Sequence, residues 1–387
     1  MITVHPGDLM IKKEKKALYI ELVYDLIFVY IVGRNNHLLH HIEGGVISPA
    51  ALLTYFFATL IVLQIWFYTS LYVNRYAENG PKLYVGIFVN MFLLYFMAQG
   101  IKSDWHEHYA FFCGAWALIL INIACLYISQ YRATDPSKDA ERKQIRFSIL
   151  TLLIQAVLIL ISIPLYFLTG LPLGVVAMLF GMILAILGAN INRAIPVDFA
   201  YLTERVMLYV VLTFGEMVVT VALYFEGFTF NAIYFALGAF LIIIGLFTSY
   251  GVVYDAIIDK EYVTNGTAYM LLHILLILAL NNITTAMEFM REDEVSPLYK
   301  ALFLTFSFVF YYVFLFIVGV RYSKSPYKPD LRYILESVGT TILFVVLMIV
   351  FYSHPYVNIA VTVAYVASEF IFLQLYRRRK NKALTDQ

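Results

Sequence analysis

Apolar stretches long enough to cross a bilayer recur twelve times along the 387-residue chain, each closed by a short polar turn. They lie near 17–38, 49–73, 82–100, 107–130, 145–169, 172–191, 204–225, 230–254, 265–288, 299–320, 331–352 and 355–376. A spanning helix needs roughly 17–25 residues. No interval between the stretches is long enough for a soluble domain. The pattern therefore predicts an all-α polytopic integral membrane protein of about twelve transmembrane helices. A polar leader (1–16) precedes them and a basic tail (377–387) follows. The fifth and sixth stretches are parted only by Gly170-Leu-Pro172, the last two only by Ser353-His-Pro355. Proline suits the first turn of the helix that follows each break. Pro164 is expected to kink the fifth helix.

Composition agrees with the pattern and charge gives it a direction. The chain is 61% hydrophobic and 14% charged, against about a quarter charged in soluble domains. The net charge of +1 argues against a nucleic-acid partner. If the N-terminus is cytoplasmic, twelve crossings put 23 of the 27 Lys and Arg on the inside, all but Arg34, Lys102, Arg291 and Lys300. Such a bias is what the positive-inside rule expects, with both termini cytoplasmic. Lys12 to Lys16 lead into a full-length span with no small-residue cleavage site, so no cleaved signal peptide is expected. Cys113 and Cys125 stand twelve apart on one helix, cannot pair, and read as small buried hydrophobes. The 31 Tyr and 31 Phe read mainly as lipid-facing and interfacial side chains.

Weak internal similarity suggests a repeat. Tyr68-Thr-Ser70 and Phe247-Thr-Ser249 end the second and eighth spans. Asn79-Gly80 and Asn265-Gly266 stand before the third and ninth. Arg132 and Arg321, then Arg193 and Arg377, follow matching spans, and Glu21 and Glu204 open the first and seventh. The units would be two parallel six-helix halves, 17–191 and 192–376, a layout known among transporters.

Polar groups inside the spans are the candidate chemistry. A charge in hydrocarbon costs roughly 3 kcal/mol or more at a helix centre, so it normally faces a bundle interior or an aqueous path. Glu21 and Asp25, at i and i+4, share a face with Phe28, Val32 and Asn36. Glu216 lies twelve residues into the seventh stretch, about 18 Å along it and near the midplane, with Tyr209, Thr213 and Thr220 on its face. It reads as an ion, proton or substrate contact, or as a protonated carboxyl bonded to a neighbouring helix. The ninth stretch carries His273, Asn281, Thr284 and Glu288, either a relay or helix–helix hydrogen bonds. Glu21, Asp25, Arg75, Asp198, Glu204, Arg205, Asp255 and Glu336 sit toward the cytoplasmic mouth, and Glu369 lies in the last span. They read as a gate or as an ion-pair network joining helix ends. His37, His40, His41, Glu43, His106, Glu107 and His108 have no metal-ligand spacing and read as an exposed outer rim. Gly174, Gly181 and Gly188, seven apart, read as a close-packing stripe. No phosphate loop, metalloprotease motif or nucleophile elbow is present.

Three motifs carry a resemblance. Glu21-Leu-Val-Tyr-Asp-Leu-Ile-Phe-Val29, Tyr72-Val-Asn-Arg-Tyr76 and Glu204-Arg-Val-Met-Leu-Tyr-Val-Val-Leu-Thr-Phe-Gly-Glu216 resemble those of the bacterial low temperature requirement protein A family. Met207 departs from the family's glycine, and Thr213-Phe214 from its Val-Leu. The resemblance implies a polytopic membrane protein of the bacterial plasma membrane linked to growth in the cold. It supplies no settled biochemical activity.

The expectation is a secondary transporter coupled to a proton or cation. Glu216, His273, Asn281, Thr213 and Thr220 would line the path, and Glu21, Asp25, Arg75, Glu204 and Arg205 would form a cytoplasmic gate. The expected partners are the lipid bilayer, a proton or cation and a small substrate, with no metal, cofactor or nucleic acid. The alternatives are a membrane-embedded enzyme of lipid modification, with His273 as base, and a structural or sensor protein.

Overall fold

In a computed structural model, which describes residues 16–101, 105–222 and 227–385, each of the twelve apolar stretches carries one helix. The helices are α1 (Tyr19–Asn35), α2 (Pro49–Tyr76), α3 (Pro81–Gln99), α4 (Trp105–Ala133), α5 (Asp139–Thr169), α6 (Gly174–Leu187), the short α7 (Ala189–Arg193), α8 (Phe199–Ala222), α9 (Phe230–Val252), α10 (Thr267–Phe289), α11 (Pro297–Arg321), α12 (Leu331–Val350) and α13 (Pro355–Thr385). Ten of them are long and apolar enough to cross a membrane. The first and sixth stretches form shorter helices, α1 with 17 residues and α6 with 14. A hairpin of two short strands, Ile42–Glu43 and Val46–Ile47, links α1 to α2.

Helices are the natural answer to these sequences, because in hydrocarbon every backbone N–H and C=O must find its partner within the segment. The starts are marked chemically. Pro49, Pro81 and Pro297 occupy first turns. Asp330 accepts from the Tyr333 amide at 2.8 Å and caps α12. Gly170, at φ +73°, ends α5, which runs unbroken through Pro164.

Burial sorts the faces. On α12 only Phe344 and Met348 are buried, and its outer face is bare Leu, Val and Ile. α10 is the most enclosed of the ten. α1 packs on α2, α3 and α8; α8 packs in turn on α9 and α10. α3–α4, α4–α5, α5–α6, α10–α11, α11–α12 and α12–α13 are further pairs, and α2–α6 and α9–α13 bring back the ends.

The glycines of α6 sit where neighbours press closest. A Cβ at Gly181 would fall 2.3 Å from Gln155 Oε1, and one at Gly188 2.3 Å from the Phe147 ring. Two expectations are corrected. Cys113 is buried, but Cys125 stands exposed on the outer side of α4. Many tyrosines line the interior instead of facing lipid; Tyr24, Tyr55, Tyr201, Tyr209, Tyr269 and Tyr311 are fully buried. Several interior hydroxyls reach polar partners, as Tyr55 does to Asn282 at 2.9 Å and Tyr68 to Gln155 at 3.0 Å, while those of Tyr209 and Tyr269 make no hydrogen bond.

Candidate functional site

The packing of α1 against α8 gathers the buried charge. Glu21 and Asp25 project from successive turns of α1 toward Arg205 on α8. Arg205 Nη1 lies 3.3 Å from Glu21 Oε2, and Nη2 3.3 Å from Asp25 Oδ1. Trp66 of α2 donates its indole N–H to Asp25 Oδ1 at 2.9 Å. Tyr201, one turn before Arg205, donates to Glu21 Oε2. Glu21, Asp25 and Arg205 are all wholly buried. Glu21 Oε1 and Asp25 Oδ2 make no hydrogen bond. Two carboxylates thus face one guanidinium in a place closed off from the surface. Around them Tyr24 hydrogen-bonds Thr69 at 3.2 Å and accepts from Asn90 at 3.3 Å, and Asn122 donates to Asn90 at 2.8 Å. The polar set therefore extends from α1 through α2 and α3 to α4.

A second polar region lies toward the other end of α1. Glu216 is half-buried against Gly33, two residues from the end of α1, where a Cβ would fall 2.2 Å from Oε1. α8 begins at Phe199, earlier than the apolar stretch suggested, so Glu216 lies seventeen residues along the helix instead of twelve. Among the described residues Glu216 makes no hydrogen bond. Nearby, Asn35 donates to Thr59 at 3.1 Å, Asn36 reaches Asn281 Oδ1 at 3.5 Å, and Tyr55 donates to Asn282. His40, in the turn after α1, bridges Glu288 at 3.1 Å and Glu292 at 3.2 Å. Glu288 first, then Glu292, holds the imidazole in its charged form, with a pKa raised to about 9. A cavity of about 710 Å³ opens at this end, walled in part by Arg34, His37, His41, Glu43, Ser48 and Thr54.

The other expected site residues are dispersed. His273 is wholly buried; Nδ1 donates to the Tyr269 carbonyl at 2.8 Å, the ring packs on Tyr269 and Tyr250, and Nε2 has no partner. It lies fifteen residues, about 22 Å, along α10 from Glu288, the partner of His40 at the end of the bundle where Glu216 packs on Gly33. Glu216 and His273 therefore stand at different levels. Thr213 bonds its own helix at Tyr209, Asn281 bonds Ile277, and Thr220 is half-buried one turn beyond Glu216. Arg75 does not join Arg205. Its Nε and Nη2 donate to the carbonyls of Ile195 at 3.1 Å and Asn265 at 2.8 Å. Glu204 is half-buried and makes no ion pair with Arg205. Among the described residues no group of three or more His, Cys, Asp and Glu could hold a metal ion; the His106 side chain lies outside them.

Trp66, Tyr201 and Gly33 were not singled out by sequence. The first two look like any aromatic in an apolar run. Their only signal is position, Tyr201 four residues before Arg205 on the same face and Trp66 amid the polar run Gln64 to Ser70.

The chain has no match among curated proteins. A family model described as bacterial low temperature requirement A protein matches residues 16–373, spanning all three charged motifs, and the chain belongs to that family.

Proposed function

We propose that the protein is a secondary transporter coupled to a proton or another small cation. The cluster of Glu21, Asp25 and Arg205 is its charge-bearing centre. The observation that carries this reading is the uneven count: two buried carboxylates share one guanidinium, and Glu21 Oε1 and Asp25 Oδ2 are left without partners. An unbalanced buried charge is costly, so the site favours taking up one positive charge. The polar residues between Gly33 and Asn282 and the open cavity beyond them suit an outer approach. Arg75, tying two loops at the other end, suits an inner closure.

In this reading all twelve stretches cross the bilayer, both termini are cytoplasmic, and the membrane is the bacterial plasma membrane. Matching helix pairs support two parallel halves. α1 with α2 and α3 corresponds to α8 with α9 and α10, α2–α6 to α9–α13, and α5–α6 to α12–α13. The contact between α1 and α8 then joins the first helix of each half, which places the charge cluster on the seam between them.

The same contacts also hold α1 to α8, and this favours a structural lock as the second reading. Nothing around His273 supports a lipid-modifying base, since its Nε2 is sealed among aromatic rings. Proton flux into proteoliposomes, read with an internal pH dye, separates the first two readings. Asp25→Asn and Glu216→Gln are expected to reduce flux to the level of empty liposomes while the protein stays folded. Wild-type flux in folded Asp25→Asn would sink the proposal.

A further inference from the structure

A second cavity, of about 470 Å³, opens at the Arg- and Lys-rich end of the bundle, between α6–α7, the start of α10 and the end of α11. Arg193, the last residue of α7, and Arg321, the last of α11, both line it and both are exposed. Neither forms an ion pair among the described residues, and no acidic side chain is part of the wall. Thr267 and Tyr322 also line it. They are only 4% and 1% exposed; the Thr267 hydroxyl makes no hydrogen bond, and that of Tyr322 stands against Arg321 and Thr264.

The wall is built, not loose. Arg75 donates to the Asn265 carbonyl at 2.8 Å, Asn265 Nδ2 to the Ala189 carbonyl at 3.0 Å, and the Val197 amide to the Thr264 carbonyl at 3.1 Å. Gly266 turns the chain into α10 at φ +78°, where a Cβ would also fall 2.9 Å from Leu202. That turn aims the N-terminal end of a 23-residue helix, the positive end of its dipole, at the cavity.

We infer that this cavity binds a phosphate-type anion. Two guanidinium groups without counter-ions and a helix N-terminus set the sign of the ligand. The unpartnered Thr267 hydroxyl supplies a donor that a tetrahedral oxyanion satisfies, and guanidinium matches phosphate oxygens two at a time. Ile186, Tyr262 and Val263 border the same opening, and Val263 is 81% exposed. An acyl chain would cover such a border, so an anionic phospholipid headgroup and a soluble phosphate are the two sources of this chemistry.

The test uses the full-length protein purified in detergent. Native mass spectrometry after mixing with phosphatidylglycerol, beside phosphatidylcholine, reads the lipid source. The rise in Tm with inorganic phosphate or pyrophosphate, beside chloride at equal ionic strength, reads the soluble one. The variants are Arg193→Gln with Arg321→Gln, and Lys324→Gln as a control on the same end. Each basic residue near an anionic headgroup is worth about fivefold, so the paired variant is expected to bind about twenty-five-fold more weakly. The control is expected to match wild type. Selective phosphatidylglycerol retention lost in the pair assigns the lipid, and a phosphate-dependent Tm rise lost in the pair assigns the soluble anion. Binding equal in wild type and the pair overturns the inference. So does a wild-type protein with neither response, whether or not the pair folds.

Discussion

Arg205 is the residue on which most depends, because among the described residues it is the only cation touching two buried carboxylates. Taking away one member of a buried ion cluster typically costs about 3–5 kcal/mol, since the charges left behind have neither water nor partner. Arg205→Met should therefore lower stability sharply in detergent. Adding Glu21→Gln and Asp25→Asn to Arg205→Met should recover much of the loss, because a neutral set needs no counter-charge. A triple variant no more stable than Arg205→Met alone, measured by thermal unfolding, would contradict the electrostatic account. His40 gives a pH dependence of known sign. Glu288 and Glu292 raise its pKa to about 9, above the ordinary 6.5. The stabilisation is thus fully present below about 6.5 and fades as pH rises through about 9. The site is partly open to solvent, so screening leaves on the order of 1 kcal/mol. The Tm of wild type should fall toward that of His40→Gln across this window, by about 1–2 °C, and the two should converge above it.

Helices show what a single sequence conveys and where it stops. Each apolar stretch became a helix because length and hydropathy leave little choice in hydrocarbon. That Glu21, Asp25 and Arg205 would lie inside the bundle was also legible, because charge in an apolar run avoids lipid. Their grouping was not. Glu204 and Arg205 are adjacent, and only the docking of α8 on α1 decides that Arg205 is wholly buried against both carboxylates while Glu204 stays half-exposed. Arg75 was expected beside them for its charge, yet its backbone partners are loop carbonyls, which carry no side-chain signature in sequence. The glycine stripe of α6 was readable as close packing, but its neighbours were not. Gly181 faces Gln155, which donates to Gln64 at 2.6 Å and accepts from Tyr68 at 3.0 Å. A methyl there must displace the amide, so Gly181→Ala is expected to destabilise by about 1–3 kcal/mol. Gly114→Ala, where nothing stands within 4 Å, should be close to neutral. Equal melting of both variants would show that the α6 contact is slack.

At the scale of the whole molecule the open matter is how many helices cross. α6 spans about 21 Å at 1.5 Å per residue, less than a hydrocarbon core of about 30 Å, but α7 follows at once and carries the chain to Arg193. The charge bias fits only if α6 crosses: without it every later loop changes sides, and Arg321, Lys324, Lys328 and Arg332 would face outward. Glu43 and Lys324, both exposed, flank the helices from α2 to α11 and report the parity directly. In a background of Cys113→Ala and Cys125→Ala, a membrane-impermeant maleimide applied to intact cells should label Glu43→Cys. It should label Lys324→Cys only after the membrane is opened. Labelling of both from outside would mean that an odd number of the intervening helices, α6 foremost, fails to cross. The two halves would then face opposite ways across the seam of α1 and α8, and an inverted repeat would replace the parallel one. The charge cluster would stay where it is, but the side from which a cation reaches it would have to be assigned anew for each half.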